Sequence, residues 1–177
     1  MKFSRAVFLD RDGTINRDLW PEYCTSYLDF EIYPWAAQAI KLLNNLNLKT
    51  IVITNQACIG KKLMQPSELL HIHSKMNSIL NIGGAKVDAI YYCPHTDNDT
   101  CVCRKPKPGM IARAVKEQLV NLEGSYLVGD LEIDILLGKR VGCKTISVGK
   151  EGYGADAHLK NLLEAARRIE LWEKYYH

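Results

Sequence analysis

A chain of 177 residues, 47% hydrophobic and 24% charged, has the composition of a globular protein able to bury a core within one domain. Its formal charge of +3 is too small to argue for a nucleic-acid partner and leaves room only for a local basic pocket facing an anionic ligand. No apolar run is long enough for a membrane helix, and residues 1–5 lead straight into the first strand without a signal-peptide core, so a cytoplasmic protein away from membranes is expected.

The first strand, over 6–9, is an apolar run that stops at Asp10, with Asp12 two residues on and then Gly13 and Thr14. A buried strand ending in Asp-x-Asp delivers two carboxylates to the C-terminal edge of a sheet, where open α/β folds place their chemistry. Gly13 lets the chain turn sharply away, and two acids this close repel unless a cation or a proton intervenes. The plain alternative is a turn with solvated acids, because Asp-Gly is a common turn pair.

Residues 17–33, rich in aromatics and turn formers, suit a long loop or short hairpin over the strand end. Pro34 fits the first turn of a helix carrying Ala36, Ala39, Ile40, Leu43 and Leu46 at helical spacing. A β-branched strand over 49–53 ends in Thr54-Asn55-Gln56, and a helix follows over 66–80 until Gly83-Gly84 breaks it. A third strand over 87–92 enters a Cys/His cluster. Pro108 opens a helix to about 120, a fourth strand over 125–128 ends in Gly129-Asp130, and a helix spans 132–141. A fifth strand over 145–148 precedes a C-terminal amphipathic helix over about 156–172, with Leu159, Leu162, Leu163, Ala166 and Ile169 on one side. Strands alternating with helices in this way predict an α/β fold, a doubly wound and mostly parallel sheet in a single domain over 1–177.

Four of these segments together resemble the haloacid dehalogenase superfamily of phosphotransferases. Its signatures occur in order as Asp10-Arg11-Asp12-Gly13-Thr14, Thr54-Asn55, Lys105, and Gly129-Asp130 with Asp134. The resemblance narrows to the zinc-containing branch of histidinol phosphatases and D-glycero-D-manno-heptose 1,7-bisphosphate 7-phosphatases, carried by residues 8–16, by Tyr91-Tyr92-Cys93-Pro94-His95, and by residues 101–110. The Pro108-Gly109-Met110 ending and the length favour the heptose enzymes. The resemblance implies a Mg²⁺-dependent phosphatase acting on a small phosphorylated sugar. Asp10 is then the nucleophile that forms an aspartyl-phosphate, and Asp12 the acid/base. Mg²⁺ would bind Asp10, the Asp12 carbonyl and Asp130, with Asp134 supporting from one helical turn on; an ordinary acid favoured by the helix dipole is the alternative for Asp134. Thr54, Asn55 and Gln56 would meet phosphoryl oxygens or substrate, Lys105 would offset the charge of the transferred group, and Arg104 would grip phosphate or substrate.

Cys93-x-His95 and Cys101-x-Cys103, five residues apart, offer four soft ligands without a gap for water, the pattern of a tetrahedral structural Zn²⁺. The loop over 93–103 has almost nothing apolar with which to pack itself, so ligation is what would order it and position Arg104 and Lys105. Cys24, Cys58 and Cys143 read as ordinary small residues, and His71 and His73, two apart on a helix, do not share a face for a second metal. No separate cap domain fits within 13–33 or 57–92, so the pocket is expected to be open and bounded by the 17–28 loop (with Asp18 as a substrate contact), the 56–62 loop and the zinc loop. The chain departs from the heptose enzymes at Ala57-Cys58-Ile59-Gly60-Lys61-Lys62, at Leu131, where they place Lys, and at Arg17-Asp18-Leu19-Trp20-Pro21. Histidinol-phosphate phosphatase and a non-catalytic phosphate-binding module are the other readings, and a monomer is expected.

Overall fold

The computed structural model describes residues 3–176. Six parallel strands form one sheet, β1 (Ala6–Leu9), β2 (Lys49–Asn55), β3 (Ala89–Cys93), β4 (Tyr126–Gly129), β5 (Lys144–Val148) and β6 (Ala157–Leu159), in the order β3-β2-β1-β4-β5-β6. The helices are α1 (Ala36–Asn45), α2 (Ala57–Gly60), α3 (Pro66–Ile82), α4 (Gly109–Gln118), α5 (Glu132–Val141) and α6 (Leu162–Tyr176).

Strand alternation sorts the core into two layers. Val7, Leu9, Val52, Val128 and Ile146 point to one face, where α1, α3 and α6 bring Ile40, Leu43, Leu69, Met76 and Ile169 against them. Ala6, Phe8, Ile51, Ile53 and Leu127 point to the other, against Met110, Ile111 and Ala114 of α4 and Leu137 of α5. A strand buried on both faces reads as a continuous apolar run, which is why 6–9 and 51–53 show no polar alternation. The chain winds outward from β1 in both directions, through β2 to β3 and through β4 to β5 and β6. The crevice between the ends of β1 and β4 is therefore the switch point at which such sheets collect ligands.

The doubly wound architecture agrees with expectation, and the differences are local. The third strand starts two residues later than predicted and runs on to Cys93, so the first sulfur of the Cys/His cluster is a sheet residue. The loop after Gln56 contains the short α2. The predicted C-terminal helix over 156–172 is replaced by β6 and a helix that starts at Leu162. Asp156 explains the first half of that change: its Oδ2 accepts from the Thr145 N–H at 2.7 Å and the Thr145 hydroxyl at 2.8 Å, which lays the segment alongside β5. Asn161 explains the second. Its Oδ1 accepts from the Glu164 N–H (3.1 Å) while Glu164 Oε2 accepts from the Lys160 N–H (3.2 Å), a start signal five residues inside the predicted helix. Residues 17–33 leave and return beside β1, closed by Arg17 N–H to Glu31 O at 2.9 Å and Tyr33 N–H to Ile15 O at 3.0 Å. No helix among the described residues is long and apolar enough to cross a membrane.

Candidate active site

The site begins where β1 stops being a strand. The Asp10 N–H still donates to Val128 O at 2.9 Å, so the backbone at Asp10 is fixed by the sheet. The Arg11 carbonyl then accepts from the N–H groups of Thr14, Ile15 and Asn16, and the chain doubles back. Gly13 makes this possible in two ways. Its φ of +81° suits glycine, and a Cβ there would overlap the Asp130 carboxylate. Gly129, at the end of β4, is pressed in the same manner against the Asp134 side chain.

Between these two glycines the carboxylates gather. Asp10, Asp130 and Asp134 bring oxygen atoms within 4.8 Å of one another. Lys105 reaches in from beyond the Cys/His loop, its Nζ donating to Asp10 Oδ1 at 2.6 Å and to Asp134 Oδ1 at 2.7 Å, with all three residues buried. The Thr14 hydroxyl lies 3.5 Å from Asp130 Oδ1. Asp134 also accepts the Leu131 N–H through Oδ2 at 3.2 Å, so the third residue of α5 caps its own helix with one oxygen and holds Lys105 with the other. Asp134 thus reaches the cluster mainly through the lysine.

Three acids around one ammonium leave buried negative charge in excess. Burial pushes Asp10 up to about 7, with Lys105 pulling down and Asp134 and Asp12 pushing further up. Asp130 rises to about 9 through burial and then the charges of Asp10 and Asp134. Burial works against the Lys105 ammonium as well, but Asp10 and Asp134 outweigh it and raise its pKa. A cluster that holds its full negative charge only against a further cation, and offers only hard oxygen donors, fits a divalent ion of the magnesium type. Because Gly13 leaves no room between the turn and Asp130, Gly13→Ala is expected to displace that carboxylate and weaken Mg²⁺ binding by about ten- to a hundredfold, read by calorimetric titration of the metal-free protein.

Asp12 lies on the other side of the turn in a contrasting environment. Burial again disfavours its charge, but Arg11, Asn16 and Gln56 overcome this and hold it below the usual carboxylate range. Asp10 and Asp12 are therefore pushed in opposite directions although a single residue separates them.

An open cleft of about 180 Å³ lies over these groups. Asp10, Asp12, Thr54, Asn55, Gln56 and Lys105 line its floor, and Asp18 and Arg104 its walls. These eight residues singled out in the sequence thus line one cleft, Asp130 and Asp134 gather with Asp10 in the carboxylate cluster, and the Cys/His set forms a centre of its own, but some of the cleft residues have different partners from those expected. Asn55 clamps the Lys105 backbone, its Oδ1 accepting the Lys105 N–H at 3.0 Å and its Nδ2 donating to the Lys105 carbonyl at 3.3 Å. Gln56 Nε2 donates to Asp12 Oδ2 at 2.9 Å and to the Thr54 hydroxyl at 2.8 Å. Arg104 Nε donates to Asp97 at 2.6 Å and its Nη1 to the His95 carbonyl at 3.3 Å. Asp18 Oδ1 accepts the Trp20 N–H at 3.2 Å. Trp20, Tyr23, Leu131 and Ile133 also line it; Trp20 and Leu131 stand out in the sequence as departures from the heptose enzymes, whereas nothing in a single sequence sets half-buried Tyr23 and Ile133 apart from other apolar residues.

The Cys/His loop is anchored on the sheet by Cys93. Its Sγ lies 3.5 Å from His95 Nδ1, 3.9 Å from Cys101 Sγ and 3.0 Å from Cys103 Sγ, and His95 Nδ1 lies 3.3 Å from Cys103 Sγ. All four donor atoms lie within 4.8 Å of one another. Three thiols and one imidazole nitrogen facing a common centre fit a four-coordinate Zn²⁺ through Nδ1 of the histidine. Cys24, Cys58 and Cys143 are buried away from this centre, and exposed His71 pairs with Glu68 while His73 points inward.

A family described as HAD-hydrolase-like matches residues 102–169, and one described as polynucleotide kinase 3 phosphatase matches residues 7–134. The probable D-glycero-D-manno-heptose-1,7-bisphosphate 7-phosphatase of Thermoplasma volcanium is 36% identical over 138 residues, which cover 77% of this chain and 93% of that protein. The D-glycero-beta-D-manno-heptose-1,7-bisphosphate 7-phosphatase of Helicobacter pylori is 36% identical over 139 residues, 78% of this chain and 79% of that one. The crystal structure of the D,D-heptose 1,7-bisphosphate phosphatase from B. bronchiseptica, complexed with magnesium and phosphate, is similar with a TM-score of 0.87 at 29% identity, covering 94% of this chain and 98% of that chain.

Proposed function

The chain belongs to the haloacid dehalogenase-like hydrolases, among the D-glycero-D-manno-heptose 1,7-bisphosphate 7-phosphatases, and from that membership we propose that it removes the 7-phosphate of heptose 1,7-bisphosphate through a covalent intermediate on Asp10. The observation that carries this reading is the buried cluster at the switch point, where Asp10 and Lys105 stand 2.6 Å apart at the floor of an open cleft.

In the first half-reaction a carboxylate oxygen of Asp10 attacks phosphorus, the bond to the sugar oxygen breaks, and Asp12, which Arg11, Asn16 and Gln56 hold below the usual carboxylate range in the free enzyme, gives the departing alkoxide a proton that it takes up as the phosphate dianion enters the cleft beside it. In the second, Asp12 takes a proton from a water molecule, that water attacks phosphorus, and inorganic phosphate leaves as the Asp10 carboxylate is restored. Sheet hydrogen bonding at the Asp10 N–H fixes the nucleophile from behind. The Lys105 ammonium and the Thr54 hydroxyl face the oxygens of the transferred group, and Asn55 keeps Lys105 in register by gripping its backbone on both sides. Asp10, the Asp12 carbonyl and Asp130, steadied by Asp134, would hold Mg²⁺, which supplies charge neutralisation for the phosphoryl group in flight. Cys93, His95, Cys101 and Cys103 would hold a structural Zn²⁺ that fixes the entry to Lys105. Arg104, at the wall, can reach the distal end of the substrate once it leaves exposed Asp97, while Asp18 and Gln56 face sugar hydroxyls. A free metabolite acted on by a single-domain monomer is the simplest working unit consistent with an open cleft.

The substrate is tested by kcat/KM for the alpha and beta anomers of heptose 1,7-bisphosphate and for histidinol phosphate, side by side with Mg²⁺. A preference of about tenfold or more for a heptose bisphosphate is expected. A higher value for histidinol phosphate would replace the substrate and leave the reaction class standing, whereas no phosphate release from any of these or from an aryl phosphate would overturn the class.

A further inference from the structure

Arg11 has no assigned task in the Asp-Arg-Asp turn, yet it is among the largest fully buried side chains of the molecule. A guanidinium does not shed its charge, so its burial demands partners for its donors. Nε meets Asp12 Oδ1 at 3.2 Å, and Nη2 meets both Asp12 oxygens at 2.8 Å. Nη1 turns the other way, to His73 Nε2 at 3.4 Å. Arginine can only donate, so Nε2 is the lone-pair nitrogen of that ring and the proton sits on Nδ1. Burial, and then the Arg11 charge, keep the ring neutral by lowering its pKa to about 4. His73 is itself held inside α3, 6% exposed and edge-on to Tyr92 with ring centroids 6.4 Å apart. The remaining sides of the Asp12 carboxylate accept from Asn16 Nδ2 and Gln56 Nε2, each at 2.9 Å.

We propose that Arg11 and His73 are positioning residues for the acid/base step. His73 fixes the rotation of the guanidinium through Nη1, and the guanidinium fork fixes the plane of the Asp12 carboxyl at the cleft. An acceptor is needed at Nη1 because two-atom pairing with a carboxylate leaves the fork free to rock about the shared axis. A neutral histidine supplies the acceptor without competing for Asp12 as a second acid would. The inference rests on the reading of Asp12 as the acid/base and assigns that residue its supports.

Leaving groups separate this role from a general loss of structure. A sugar alkoxide needs a proton to depart, whereas p-nitrophenolate departs without one, so misplacing the acid harms the first far more than the second. The measurement is kcat/KM, which covers the steps up to phosphoryl transfer onto Asp10, for heptose bisphosphate and for p-nitrophenyl phosphate on the same enzyme preparation with Mg²⁺. Any fraction of misfolded protein cancels in the ratio. His73→Leu is expected to lower the sugar value by about ten- to a hundredfold and the aryl value by less than about threefold. His73→Gln, which keeps an acceptor near the Nε2 position, is expected to recover most of the sugar value. Arg11→Lys, which keeps the charge without the fork, is expected to show the same selectivity as His73→Leu. Equal losses on both substrates in His73→Leu, or no recovery in His73→Gln, would overturn the proposal. Asp12→Asn is the reference: if it is selective and the His73 variants are not, the positioning role alone fails. If Asp12→Asn affects both substrates alike, the acid/base reading fails and takes the proposal with it.

Discussion

Asp10→Asn is expected to abolish turnover, with a fall in kcat of about four orders of magnitude or more, while the protein still folds. The amide keeps the shape and can still meet the Asp130 and Lys105 side chains, but it has no carboxylate with which to attack phosphorus. The effect on stability has the opposite sign. Burial raises Asp10 to about 7, so in metal-free protein its charge counts against the folded state once the pH is above that value. Below the ordinary carboxylate pKa both states are protonated and the contribution is fully present; it is lost as the pH rises through about 7. At pH 8 with chelator, Asp10→Asn should therefore melt at or above the wild-type temperature, measured by calorimetry. Loss of activity with retained or increased thermal stability is what a functional site that holds repelling charges produces. An active Asp10→Asn enzyme would remove the covalent mechanism.

The second large effect is expected at the metal loop. If the four ligands hold the proposed structural zinc, the wild-type chain carries one zinc by metal analysis and Cys103→Ser carries none, with kcat/KM lowered by about a hundredfold. The argument runs through three short links: Cys103 and Cys101 close the loop onto Cys93 of β3, Arg104 follows immediately, and Lys105 is next. With the ligand set broken, residues 96–101 have little apolar surface with which to reorder. Asn55 alone would have to hold the Lys105 backbone, with hydrogen bonds of 3.0 and 3.3 Å. Activity close to that of the wild type in zinc-free Cys103→Ser would show that the clamp on β2 is sufficient.

The sheet was readable because its strands are buried on both faces: 6–9, 51–53 and 126–128 are runs of apolar residues ended by a carboxylate, a hydroxyl residue or Gly-Asp. The convergence of Asp10, Thr54 and Asp130 on one edge follows from that order, whereas Lys105 reaches it from beyond the Cys/His loop. At the end of the chain helical periodicity misleads for a definable reason. Residues 156–172 carry apolar residues at helical spacing throughout, and periodicity does not register that Asp156 is committed to the Thr145 N–H and hydroxyl. Asn161 and Glu164 form a start signal that the longer apolar pattern overlies. Arg11 was out of reach for another reason. Nothing in a lone Asp-Arg-Asp tells whether the middle side chain lies in solvent or in the core, because its partner His73 is supplied by a helix more than sixty residues on. Asn55 and Gln56 illustrate the same limit: the sequence placed them at the cleft, and only the folded arrangement reveals that each is already occupied in holding a neighbour.

The two Cys/His pairs proposed to hold zinc have a consequence for how the protein can change. Cys93-x-His95 is fixed to the sheet and Cys101-x-Cys103 leads directly into Lys105, so the location of the lysine depends on the two ends of the loop and not on the segment between them. Residues 97–100 form an exposed tip, whose Asp97 engages Arg104 of the cleft lining. Insertions, deletions or charge changes in that tip can rework the neighbourhood of the substrate while leaving the reacting groups where they are. The tip, which pairs with Arg104 but carries none of the reacting groups, is therefore where a laboratory library aimed at new phosphorylated substrates should be built first.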